Sequence, residues 1–103
     1  MKLSPAEILL TERFVLVDDH LTRDGTGERI EVLINSYLQR LTSASDGWDT
    51  LYCDPADGRF WELVYPESHM HGGGPRELRC LATDQAATKY GEGFVLKRRC
   101  AGK

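Results

Sequence analysis

The chain has 103 residues, 41% of them hydrophobic and 28% charged, with a formal net charge of −3. That length holds one core and excludes two independent domains, and the ordinary apolar–charged balance excludes wholesale disorder. The mild acidic excess argues against nucleic-acid binding, which needs a basic face, and suits docking onto a basic protein.

At the N-terminus, Ser4-Pro5-Ala6-Glu7 has the form of a short helix start, with a capping serine and proline in the first turn. The apolar run around it is too short for a signal peptide. Nothing in the chain approaches the roughly 20 apolar residues of a membrane span. A cytoplasmic protein with no membrane contact is therefore expected. Arg13-Phe14-Val15-Leu16-Val17-Asp18 predicts a strand. After the capping residues of Asp24-Gly25-Thr26-Gly27, apolar side chains recur at steps of three and four: Ile30, Leu33, Ile34, Tyr37, Leu38 and Leu41. This stripe predicts an amphipathic helix over 27–42, which must bury its apolar side, with a sheet face as the natural partner.

Trp48 to Cys53 and Arg59 to Tyr65 flank Asp54-Pro55-Ala56-Asp57-Gly58. Proline early in that turn and a glycine free to turn left-handed predict an antiparallel hairpin. Glu67 to Pro75 contains three consecutive glycines and predicts a loop. Arg76 to Ala82 predicts another strand. Thr83 can cap a short helix through Lys89, ended by Gly91. The resulting fold class is α+β: a mostly antiparallel sheet of about four strands packed against one main amphipathic helix, with a short C-terminal helix. Residues 1–92 form a single domain, and 93–103 form a tail with a short strand at Phe94-Val95-Leu96 and a frayed basic end, Lys97-Arg98-Arg99.

Chemical motifs are sparse. Cys53, Cys80 and Cys100 are odd in number and irregularly spaced, without a Cys-x-x-Cys pair. They predict three free thiols in a reducing compartment and no zinc site. Gly72-Gly73-Gly74 is followed by Pro75 rather than by Lys and Ser/Thr, so it is not a phosphate loop. Glu67, His69 and His71 would share one side of an extended segment, the best metal-binding set present, but no third distant ligand accompanies them. A small metal-dependent hydrolase built on these three residues is the alternative reading. Cys80 or Ser68 beside these histidines lacks any nucleophile-elbow or cysteine-protease signature. Catalytic residues, cofactors and metal ligands are thus expected to be absent.

What remains is a surface. Asp46, Asp49, Asp54, Asp57, Glu62 and Glu67 surround the hairpin, among Trp48, Tyr52, Phe60, Trp61 and Tyr65. Several of these acids have turn roles available, yet aromatic groups beside carboxylates also make tight protein interfaces. The candidate partner-binding residues are Asp54, Asp57, Trp61, Glu62, Tyr65, Glu67, Ser68, His69, Met70, His71, Gly72, Gly73 and Gly74.

Gly47-Trp48-Asp49-Thr50-Leu51-Tyr52, Asp54-Pro55, Asp57-Gly58-Arg59-Phe60-Trp61-Glu62-Leu63 and Tyr65-Pro66-Glu67-Ser68-His69-Met70-His71-Gly72-Gly73-Gly74-Pro75 resemble the core block of the immunity protein 27 family. The helix segment Arg29 to Asn35 and the ending Lys89-Tyr90-Gly91 are similar to that family too. The resemblance implies a small α+β antidote, not an enzyme, that binds the domain of a secreted polymorphic toxin and blocks it. It supplies no catalytic residues, and it leaves the toxin's chemistry and the oligomeric state open.

Overall fold

The computed structural model describes residues 3–44, 48–66 and 74–91. In chain order the elements are β1 (Leu9–Thr11), β2 (Phe14–Val17), β3 (His20–Arg23), α1 (Gly25–Ser36), β4 (Gln39–Ser43), β5 (Thr50–Cys53), β6 (Phe60–Val64), β7 (Glu77–Leu81) and α2 (Thr83–Tyr90). Five strands form one antiparallel sheet in the order β1-β7-β6-β5-β4, and β2 with β3 forms a separate two-stranded ribbon. The α+β class stands, with one strand more in the main sheet than expected and the ribbon in addition.

Period-two alternation along β5, β6 and β7 sends side chains to opposite faces. Tyr52, Trp61, Leu63 and Leu78 face α1 and bury with its Ile30 and Leu33. Ile30 and Leu33 have no solvent contact, and burial of each such side chain contributes roughly 1.5–3 kcal/mol. Leu51 and Phe60 lie on the other face, where Ala86 of α2 packs with Leu81 and Tyr90. The sheet is covered by a helix on each side, which explains why all of β5 and β6 is buried.

Helix α1 starts where the sequence indicated: the Asp24 Oδ1 accepts from the Gly27 N–H at 2.9 Å, satisfying a first-turn donor. It ends earlier than the 27–42 periodicity predicts. Tyr37 caps it, and the chain turns into β4, which pairs with β5. Leu41 falls at an irregularity between Arg40 and Thr42 and packs on the α2 side of the sheet. Sheet pairing at the edge thus overrides a stripe that ran two apolar residues too far. The expected N-terminal helix is a turn instead, with the Glu7 N–H bonded to the Ser4 carbonyl. Thr83 lies inside α2 rather than capping it; the Gln85 side chain accepts from the Ala82 N–H at 2.9 Å.

The hairpin turn follows its sequence chemistry closely. The Asp54 Oδ1 accepts from the Ala56 N–H at 2.8 Å, and the Asp57 Oδ1 from the Arg59 N–H at 3.0 Å. Gly58 has φ +79°, the left-handed region that favours glycine. Arg59 then reaches back to the carbonyls of Glu7 and Ser4, at 2.7 and 3.1 Å, tying the N-terminal segment to this turn. Cys80 is a free thiol, whereas Cys53 is disulfide-bonded, contrary to the expectation of three free thiols. An odd, irregular set of cysteines does not disclose which of them pair, and the cysteine argument for a reducing compartment falls with it. Cys100 and the rest of the predicted tail lie outside the described residues. Among the described residues, no helix is long and apolar enough to cross a membrane.

Candidate functional site

The glycine-rich segment leaves β6 through Tyr65 and Pro66 and returns through Gly74, Pro75 and Arg76. On the outgoing side Tyr65 meets Trp48 edge to face, with ring centroids 5.0 Å apart. Trp48 is 46% exposed, so this aromatic pair presents area at the end of the sheet from which the segment departs. On the returning side Gly74 is buried with φ +70°.

Arg76 is the anchor of that return. Its Nε donates to the Glu12 Oε2 at 3.0 Å, its Nη2 to the Glu12 Oε1 at 3.2 Å, and its Nη1 to the Glu31 Oε1 at 2.8 Å. Its backbone N–H also donates to Glu12. Glu12 is almost wholly buried and takes a further contact from the Arg23 Nε at 3.1 Å. Arg23 and Arg76, far apart in sequence, therefore converge on one carboxylate. Gly27 is part of the packing, since a Cβ there would lie 2.6 Å from the Glu12 Oε1 and 2.8 Å from the Arg23 Cβ. Nearby is a groove of about 540 Å³, lined by Phe14 and Leu21 of the ribbon, Pro66 and Pro75, and Glu12 and Arg76.

On the α2 side the Glu62 carboxylate is fully buried. It accepts from the Arg79 Nε at 3.0 Å and from the Tyr90 hydroxyl at 2.7 Å, and lies 2.6 Å from the Lys89 Nζ. Burial pushes its pKa up, but the hydrogen bonds from Lys89, Tyr90 and Arg79 outweigh that and hold it below the usual carboxylate range. Lys89 also bonds Asp49 at 2.6 Å. The cluster fastens α2 to the sheet.

Several candidate residues lie away from the surface of the chain. Trp61 and Glu62 are buried on opposite faces of the sheet, and Asp54 is buried in the turn, where the Tyr37 hydroxyl donates to its Oδ1 at 2.6 Å. Side chains with no accessible surface cannot meet a partner. Asp57 is partly exposed but engaged by Arg59 at 2.7 Å. The negative field expected around the hairpin is thus offset locally at Asp49, Asp57 and Glu62. The turn 54–58 and the departure point of the glycine segment also lie at opposite ends of β6, separated by a strand of about 15 Å. Tyr65 and Gly74 lie at the loop end. Glu67, Ser68, His69, Met70, His71, Gly72 and Gly73 lie outside the described residues, as does Asp46. Among the described residues, no group of three His, Cys, Asp or Glu could hold a metal. Sequence reasoning missed the Glu12–Arg76 pair; its one local signal was a lone glutamate beside a strand, which carries no long-range information.

A separate ion pair governs the acid response. Arg29 donates two hydrogen bonds to the Glu7 carboxylate, one of them at 2.7 Å. These, with the Ser4 N–H, lower the Glu7 pKa from 4.5 to about 2. A depressed folded-state pKa stabilises the fold above the unfolded value and loses that stabilisation as pH falls through the folded one. Urea midpoints should therefore drop between about pH 4.5 and 2, and Glu7→Gln should flatten that part of the profile relative to wild type.

The described residues thus form a two-helix α+β domain with buried ion pairs as fasteners and an aromatic pair at a loop end. The family model for immunity protein 27 matches residues 16–82. The chain belongs to that family. No curated protein and no solved structure matches it.

Proposed function

We propose that this chain is an immunity protein that binds the domain of a cognate secreted polymorphic toxin in the cytoplasm and neutralises it without catalysis. Membership of the immunity protein 27 family carries this reading. The titratable clusters at Glu12 and Glu62 agree with it, because both are saturated by partners within the chain and support the fold.

The toxin-facing surface is the loop end of the sheet: Trp48, Tyr65 and the segment Glu67 to Gly73. Aromatic side chains that keep exposed area are the usual energetic centres of interfaces. The residues flanking the glycine segment are held by the Trp48–Tyr65 contact and by the Arg76–Glu12 pair. Binding rests on shape and aromatic contact more than on an acidic decoy, since the hairpin carboxylates are paired internally. Calorimetric titration of the toxin domain tests this. Trp48→Ala with Tyr65→Ala, and separately Glu67→Gln with His69→Ala and His71→Ala, should each weaken binding by about thirtyfold or more. Affinities within about twofold of wild type for both folded variants would exclude this surface.

A further inference from the structure

The β2–β3 ribbon lies outside both core clusters. Among the described residues its strands pair only with each other, and Val15, Leu16, Val17 and Leu21 are 40%, 67%, 50% and 72% exposed. The tip, Asp18-Asp19, holds both residues at positive φ, 50° and 66°. Such turns favour asparagine and glycine, so the two carboxylates are held there at a conformational cost. A lone two-stranded ribbon is marginal in water, and an apolar free edge is a template for another strand.

Which backbone groups are free follows from the ladder. The Asp24 N–H donates to the Arg13 carbonyl at 3.0 Å. Arg13, Val15 and Val17 therefore direct their backbone groups toward β3, and Phe14 and Leu16 direct theirs outward. Among the described residues no hydrogen bond reaches those outward groups. Arg13, Asp18 and Asp19 are exposed, and none forms an ion pair among the described residues.

We infer that the outer edge of β2 is a self-association surface whose occupant is β2 of a second copy of this chain. Antiparallel pairing sets outward-facing residues against outward-facing residues. Leu16 can then sit opposite the Leu16 of the second copy on a two-fold axis. In that register Val15 faces Val17, and Arg13, just before the strand, lies across from the acidic Asp18-Asp19 tip of the other copy, each contact occurring twice, as a closed isologous contact requires. An occupant of this edge needs a cation at one end and an anion at the other, with apolar residues between. The segment Arg13-Phe14-Val15-Leu16-Val17-Asp18-Asp19 carries that order itself. The product is a four-stranded sheet in the order β3-β2-β2-β3. This contact does not depend on toxin binding.

Sedimentation equilibrium of the full chain up to about 500 μM tests the inference, with circular dichroism confirming that each variant is folded. The contact is small, so a dimer with Kd of about 10–100 μM is expected. Arg13→Glu and Asp19→Lys each set like charges against one another and should weaken association by about tenfold or more. An equimolar mixture of these two variants restores both opposite-charge pairs and should associate like wild type. Leu16→Lys, which puts two ammonium groups on the axis, should also be monomeric. A monomeric wild type, including one whose ribbon binds only the toxin, would overturn the inference. So would charge variants that dimerise unaltered, or a mixture no tighter than its components.

Discussion

Glu12→Ala should destabilise the fold by about 3–5 kcal/mol, a large part of the stability of a domain this size. The reason is what remains. Arg76 stays buried, with two of its guanidinium nitrogens and its backbone N–H deprived of the carboxylate that satisfies them. Glu31 retains one contact, at the exposed edge of the network. Removing both ions is a different experiment: Glu12→Leu with Arg76→Met should cost much less than Glu12→Ala, because no unpaired charge is left inside. Urea denaturation of the single and double variants measures the difference. Equal losses would mean that the pair acts through packing alone. The functional consequence is local, since Arg76 fixes the returning end of the glycine segment. Glu12→Ala should loosen that end before the sheet itself unfolds.

Glu62→Ala should lower stability by about 2–4 kcal/mol and release α2 selectively. The carboxylate gathers Arg79, Lys89 and Tyr90, but Arg79 and Lys89 retain partial solvent access, with side-chain exposures of 44% and 36%. Their stranded charges can rehydrate, so the loss is smaller than at Glu12. Hydrogen exchange should rise across residues 83–90 while β5 and β6 stay protected. Glu62 also has a depressed pKa, so its contribution is present above the usual carboxylate range and is lost as pH falls through the lowered value. Toxin affinity of the folded variant should be unchanged. A specific loss of affinity with α2 intact would return Glu62 to the partner surface.

The legible parts of the fold were those written in local chemistry. Asp54-Pro55-Ala56-Asp57-Gly58 specifies its own turn through side-chain-to-backbone bonds and one left-handed glycine, and the flanking strands follow. The start of α1 was legible from Asp24 for the same reason. Its end was not, because Leu38 and Leu41 continue the helical spacing while edge pairing with β5 claims that stretch. Strands β1 and β3 are short, and β3 carries His20, Thr22 and Arg23 with a single apolar residue, so neither has a pattern to read. For the site, the outcome turns on burial. Trp61 and Glu62 looked alike as interface residues, but alternation along β6 buries one under α1 and the other under α2. Aromatic and acidic residue types do not reveal that a sheet is covered on both sides. Trp48, passed over as a candidate, keeps the exposed area that Trp61 lacks.

The burial of Asp54, Trp61 and Glu62 narrows the proposed surface without changing its kind. The buried charges hold the scaffold, and the proposed toxin-facing surface is confined to the loop end of the sheet. The central claim is stoichiometric inhibition by occupation. Titrating the purified chain into the proposed cognate toxin domain, while following the toxin's own reaction, measures this directly. The account predicts that activity falls linearly to its floor at one chain per toxin. Full toxin activity in the presence of excess folded chain would contradict it.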